Sequence, residues 1–292
     1  MALKIQGKVR ERKTTTMAKY SVGDIETLLF QRFPASDALE NDRFGLLVGD
    51  RSAIVTRIAF SLDQTIPMIE AAVAQGCNLL VSHHPPFWMA PDSFLAADTA
   101  AVSSGAAVYK AAQRGVALLS AHTCVDCGPP AANMLLKPVG LEFSAPLRAH
   151  GTGSLGQIAR PTGGRAFIPL GELAENYQRS FGLVAKVWGD PDKPLYTCAA
   201  CSGGASEVVF EVIASGVDCF ITGEIRYHEA LYLADSGIAL IELGHDVSEL
   251  PYRFCLRDAL VSAGFPFSDT IILEPSAKWW QPNAAKRSDG EE

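Results

Sequence analysis

Apolar positions along this chain switch between two spacings, and the switching predicts a series of strands and helices. Over 21–33, Ile25, Leu28 and Leu29 form a stripe at helical spacing, with Ser21 as N-cap, Asp24 in the first turn and Pro34 closing the run. Short apolar blocks at 45–49, 54–62, 78–82 and 116–121 read as strands. Between them 65–75 and 97–113 read as helices, the second Ala-rich with a Ser-Ser-Gly interruption. Such alternation predicts parallel βαβ units with right-handed crossovers.

The rhythm breaks at 147–169, where five glycines and two prolines suit a hairpin or a joint. Beyond it, 171–181, 206–215, 224–235 and 248–263 read as helices, and 183–188, 197–201, 218–222 and 238–243 as strands. The expected fold class is α/β, with two α/β lobes whose mixed, mostly parallel sheets face a shared metal cleft. The expected division is a disordered basic leader over 1–20, a first lobe over 21–146 with the C-terminal segment packing back on it, and a second lobe over 147–236. A return segment over 237–275 completes the site, and 276–292 is a polar tail. No repeat of solenoid period is present.

With 292 residues, 48% apolar and 20% charged, the chain has ample material for one large or two modest cores. Its formal net charge of -7 argues against a duplex nucleic acid partner, which calls for a basic face. A small phosphorylated substrate remains compatible, because bound divalent cations supply local positive charge. Seven cysteines in a long chain without a secretory apolar segment point to a reducing, cytoplasmic setting. No apolar run approaches the roughly 20 residues that span a bilayer, so no membrane partner is expected. The first 19 residues carry six basic groups against Glu11, and Met17 offers a second possible start.

Four of the six histidines lie in three cassettes, each just past an apolar block. These are Ser82-His83-His84-Pro85, Ala121-His122-Thr123 with Asp126, and Gly244-His245 with Ser248-Glu249. The carboxyl ends of strands are where sites gather in open α/β sheets. Histidine with Asp and Glu is the donor set of catalytic Zn, Mn or Fe sites. Taken singly, each cassette has a plain alternative. His83 and His84 could be ordinary surface or core residues, Asp126 a structural cap, and Glu249 a charge answering a helix dipole. Three cassettes at three strand ends together point to a metal site, with His83, His84 and Asp126 supplied by one lobe and His245 and Glu249 by the other.

Two further segments carry candidate chemistry. Arg226 and His228, after the 218–222 strand, could engage a substrate anion or act as a general acid, or form a solvated helix face. Ser202, Gly203 and Gly204 could cradle an anion with their amides, or make a plain turn. The spacing Gly151-x-Gly153-x-x-Gly156 matches a dinucleotide fingerprint, but Pro161 follows where a helix is required, so a turn between strands fits better. Cys124/Cys127 and Cys198/Cys201 are both C-x-x-C, too far apart for a zinc ribbon; a thiol redox protein is the corresponding alternative.

The series of these segments, with Thr222-Gly223-Glu224, Tyr227-His228 and the Asn/Asp-rich segment from Asn41 to Gly49 that ends Gly-Leu-x-Val-Gly, resembles the dinuclear-metal-centre family known as GTP cyclohydrolase I type 2-like, or Nif-three-like. The resemblance runs in order over about 21–273. It implies a ring-shaped homo-oligomer, commonly a hexamer, and two divalent ions per chain (Zn, Mn, Fe, Co or Ni) in the cleft. It implies metal ligands at His83, His84, Asp126, His245 and Glu249, with Glu249 bridging, and proton-transfer groups at His122 and His228. It further implies hydrolysis of a small nucleotide-like or phosphorylated substrate; a non-enzymatic metal chaperone, store or regulatory partner is the rival reading. Two departures stand out: Cys124 and Cys127 flank Asp126 where the family has Asn-Leu-Asp or similar, and Glu224 stands where Asp is usual.

Overall fold

The computed structural model describes residues 20–96, 104–275 and 279. The basic leader, the start of the helix expected at 97 and nearly all of the polar tail lie outside the described residues. Helix α1 (Val22–Arg32) begins as its sequence demands. The Ser21 hydroxyl accepts the Asp24 amide while the Asp24 carboxylate accepts the Ser21 amide. Then follow β1 (Gly45–Val48), β2 (Ile58–Ser61), α2 (Ile66–Ala74), β3 (Leu79–Ser82), α3 (Ser104–Arg114) and β4 (Ala117–Ser120). A single helical turn, α4 (Thr123–Asp126), leads out of this half.

The second half opens on a long hairpin, β5 (Leu141–His150) and β6 (Gly153–Pro161), closed by Gly151 and Thr152. Next come β7 (Ile168–Pro169), α5 (Leu170–Phe181), β8 (Lys186–Trp188), β9 (Pro194–Leu195) and β10 (Cys198–Gly204). After them run α6 (Val209–Ser215), β11 (Cys219–Glu224), α7 (Tyr227–Asp235) and β12 (Ala239–Glu242). The chain closes with α8 (His245–Glu249), α9 (Tyr252–Ser262) and β13 (Thr270–Ile272).

Two sheets result. The first has the order β1-β4-β3-β2-β13, with only the β1–β4 pair antiparallel. Its one face carries Phe60, Val81 and Leu119 against α1 and α9; the other carries Ala59, Leu80 and Leu118 against α2 and α3. The second has the order β5-β6-β10-β11-β12-β8 and packs α5 on one face and α6 with α7 on the other. Strands buried on both faces read as continuous apolar runs, which is why the sequence located β2, β3, β4, β11 and β12.

The expectation of mostly parallel sheets holds in the first sheet but not the second. There the β5–β6, β6–β10 and β12–β8 pairs are antiparallel and only β10–β11 and β11–β12 are parallel. Strand β5 escaped the sequence reading because Pro146 interrupts it. Proline is tolerated there because β5 is an edge strand with a register irregularity between Phe143 and Ala145. Sheet membership also differs from the expected division, since the second sheet already begins at Leu141 and includes β12. The chain returns to the first sheet only after β12: α9 packs on α1 and β2, and β13 pairs with β2. Among the described residues no helix is long and apolar enough to cross a membrane.

Candidate metal centre

Three chain turns at strand ends meet where the two sheets face each other. His83 and His84 follow β3, His122 follows β4 and immediately precedes the turn bearing Asp126, and His245 and Glu249 ride on α8 behind β12. Sequence reading began a helix at Ser248. The structure begins it at His245, because Gly244 takes φ 95° and turns the chain three residues earlier. His245 and Glu249 therefore lie one turn apart on a single helix, and Pro251 separates α8 from α9.

The donor atoms fall into overlapping triads. His83, Asp126 and Glu249 form one, and His84, His245 and Glu249 another, with the donor atoms in each within 4.8 Å of one another. Glu249 belongs to both. His122 lies within the same reach of His83 and His84. The rings of His83 and His122 are 4.8 Å apart, and those of His84 and His245 5.6 Å.

Each of these four histidines has its Nδ1 engaged by oxygen. His83 Nδ1 meets Ala121 O at 3.2 Å, His84 Nδ1 meets Asp63 Oδ1 at 2.9 Å, His122 Nδ1 meets Asp42 Oδ1 at 2.7 Å, and His245 Nδ1 meets Glu224 Oε1 at 2.9 Å. With Nδ1 so committed, Nε2 is the nitrogen left to the interior, the arrangement by which proteins fix the tautomer of a metal-binding imidazole. Sequence reasoning missed Asp42 and Asp63. Asp42 lies in the Asn/Asp-rich 41–49 segment but without any signal that it pairs with a histidine, Asp63 lies in no motif, and each reaches its histidine from a loop.

At the floor two acceptors are stranded. His83 is wholly buried, and its Nε2 is 3.5 Å from Asp126 Oδ2 and 3.7 Å from Glu249 Oε1, beyond hydrogen-bond range. His84 Nε2 comes within 2.9 Å of Glu249 Oε2, but not in hydrogen-bonding geometry, so Glu249 Oε2 and His83 Nε2 are both buried without a hydrogen-bond partner. Buried polar atoms left without a hydrogen bond are costly unless a water or a cation joins them. The mixed imidazole and carboxylate set fits divalent Zn, Mn, Fe, Co or Ni.

The charges agree. Burial alone would raise the Glu249 pKa, but the imidazoles around it, His83 and His245 foremost, hold it well below the usual carboxylate range. Burial would likewise lower that of His84, yet the carboxylates of Asp63 and Glu249 outweigh it and bring it to about 10. His245 is brought to about 9, chiefly by Glu249. For Asp42, burial is outweighed by His122 and by the amide and hydroxyl of Thr123, and its pKa falls to about 2.

Not every expected site residue joins the cluster. Ser202 and Gly203, expected to cradle an anion, do something else. Ser202 Oγ donates to Asp126 Oδ1 at 3.2 Å and lies 2.5 Å from the Tyr252 hydroxyl, so it steadies the Asp126 carboxylate. The Gly203 amide is taken by Ser248 Oγ at 2.9 Å. Gly204 ends β10 beside Glu224 and His245. Arg226 and His228 stand exposed at the start of α7, the first 3.9 Å from Glu229 and the second edge-on to Tyr232. Neither has a hydrogen bond or ion pair to the cluster.

The cysteine pairs are buried and free, as are all seven thiols. Burial pushes the Cys127 pKa up to about 12 and those of Cys124 and Cys201 higher still. The reactive form of cysteine is the thiolate, so these environments disfavour thiol chemistry.

Fold and site together define an α/β protein with two large sheets and a histidine–carboxylate cluster positioned to hold a metal ion. Residues 20–265 match Duf34/NIF3 (NGG1p interacting factor 3), and the chain belongs to that family. It is similar to the Clostridium acetobutylicum GTP cyclohydrolase 1 type 2 homolog, 30% identical over 236 residues that cover 79% of this chain and 85% of that one. Its similarity to the Staphylococcus aureus GTP cyclohydrolase 1 type 2 homolog is 34% over 329 aligned positions, covering 77% and 88%. Among solved structures, a Staphylococcus aureus hypothetical protein superposes with a TM-score of 0.80 at 21% identity, covering 90% of this chain and 99% of that one. A Bacillus cereus protein related to NIF3 gives 0.74 at 17%, covering 87% and 96%. These last two share the fold.

Proposed function

We propose that this protein is a metal-dependent hydrolase holding two divalent ions, one at His83, Asp126 and Glu249, the other at His84, His245 and Glu249. Its substrate in this reading is a small nucleotide-like or phosphorylated molecule. The observation that carries it is Glu249, a buried carboxylate common to both triads with one oxygen left unpartnered. The relatives' name as GTP cyclohydrolase 1 type 2 homologs supports the reaction class. When bound, two such ions supply Lewis-acid activation of water and of the centre it attacks.

The chain's own groups supply orientation and proton handling. Ala121 O, Asp63 and Glu224 fix the rings of His83, His84 and His245, and Ser202 steadies Asp126. His122, locked through Nδ1 by Asp42, keeps Nε2 to carry a proton at the edge of the cluster. His228, exposed at the start of α7 and edge-on to Tyr232, is the secondary candidate. The reading places the protein in the cytoplasm, in keeping with seven free thiols, and as a homo-oligomeric ring whose subunits sedimentation would count.

The test counts metals per chain and screens phosphoesters and nucleotides against the native protein and Glu249→Ala. Two ions with turnover that Glu249→Ala abolishes is the expected result. Two ions with no Glu249-dependent turnover would point to a metal store or chaperone instead. Fewer than one ion per chain after repletion would remove both.

A further inference from the structure

The rim of the centre is asymmetric. On one side stand Glu224 and His245, polar and partly exposed. On the other stands Trp88, which is 57% exposed although its ring meets His122 at 4.8 Å and lies 6.5 Å from the His84 ring. The backbone that carries this indole is held. Pro85 and Pro86 stiffen the path from His84, and Arg43 Nε donates to Trp88 O at 2.8 Å. The Arg43 guanidinium in turn lies 5.2 Å from the centre of the Phe87 ring. Arg43 directly follows Asp42, which holds His122, so one short segment fixes both the proton carrier and the aromatic wall.

From this we infer that Trp88 is a stacking platform for a flat heteroaromatic ring on the substrate of this centre, an inference that rests on the function proposed above. A large ring held in place at a site loses little freedom when a second ring stacks on it, and every flat ring offers a π-face whatever its edge chemistry. The exposed indole stands beside the rings of His122 and His84, whose Nε2 atoms the substrate of this reading must approach. The acidic opposite rim, with Glu224, repels an anionic group and favours its placement toward the cations. The ring of the substrate is thereby directed to Trp88 and its reactive end to the ions.

The experiment compares two matched probes on full-length protein loaded with Mn(II). The four nucleoside 5′-monophosphates carry a ring and ribose 5-phosphate does not. By calorimetry, at least one nucleotide should bind roughly ten- to a hundredfold tighter than ribose 5-phosphate. Trp88→Ala should erase that preference with two Mn(II) per chain still bound, and Trp88→Phe should retain most of it. Equal, metal-dependent binding of both probes by the native protein would overturn the inference and leave the metal-centre reading standing. So would a preference unchanged in Trp88→Ala, or a Trp88→Ala variant that alters only the sedimentation coefficient, which would assign the indole to contact between copies. Absence of metal-dependent binding by either probe would overturn the inference together with the reading it rests on.

Discussion

The backbone of Gly203 runs so close to the carboxylate of Glu249 that a Cβ at position 203 would overlap Glu249 Oε1 and sit 3.4 Å from His245 Nε2. Gly203 also takes φ 62°, where L side chains are strained. The residue that the sequence offers as an anion cradle is thus the clearance that lets the Glu249 carboxylate belong to both candidate triads.

Gly203→Ala should therefore act on metal binding as well as stability. Displacing Glu249 disturbs both triads at once, so metal analysis should show fewer than two ions per chain. Thermal unfolding should show a loss of at least about 1 kcal/mol from the positive φ alone. A variant that still binds two ions with native affinity would refute this account of position 203.

Asp63→Asn tests the groups behind the ligands. Asp63 touches His84 and no other member of the cluster, so its loss should weaken one ion by roughly ten- to a hundredfold and leave the other nearly unchanged. Titration with Co(II), followed through its visible spectrum, would resolve two classes of site in the variant. Equal weakening of both ions would contradict the assignment of His84 to one triad.

The pH dependence has opposite signs with and without metal. In the metal-free protein His84 and His245 have pKa values of about 10 and about 9, raised from 6.5. A group raised on folding contributes stability that is complete below its unfolded value and lost as pH climbs through its folded one. The metal-free Tm should hence fall between about pH 6.5 and 10. A cation must displace these same protons, so the stabilisation it confers should grow over that window. Scanning calorimetry with and without chelator reads both trends, and a metal-free Tm that rises from pH 7 to 10 would reject the charge assignment.

Cys124→Ser and Cys127→Ser should keep both ions. The two thiols are buried and held protonated, and no candidate triad includes them. The expected effect is on stability alone, on the order of 1–3 kcal/mol each for a hydroxyl placed in an apolar site. Loss of metal in either variant would bring sulfur back into the centre.

Much of this was legible beforehand. Strands β3, β4, β11 and β12 are apolar on both faces, so their ends were visible in the sequence, and with them the places where His83, His122 and His245 emerge. Helix α1 was legible to its cap. The edge strand β5 was not, because Pro146 disguises it, and neither was the start of α8, which depends on the positive φ of Gly244.

By itself, then, the sequence determined which histidines and carboxylates stand at strand ends as candidate metal donors. Apolar burial and helix capping act over a few neighbouring residues and leave a local pattern. The tertiary structure decided that Glu249 serves both triads, that Asp42, Asp63 and Glu224 each hold a histidine by Nδ1, and that Gly203 yields the space. The three Nδ1 contacts join residues from 21 to 80 positions apart, and only the tertiary arrangement, with α8 against β10 and β11 and α9 against α1 and β2, brings them together.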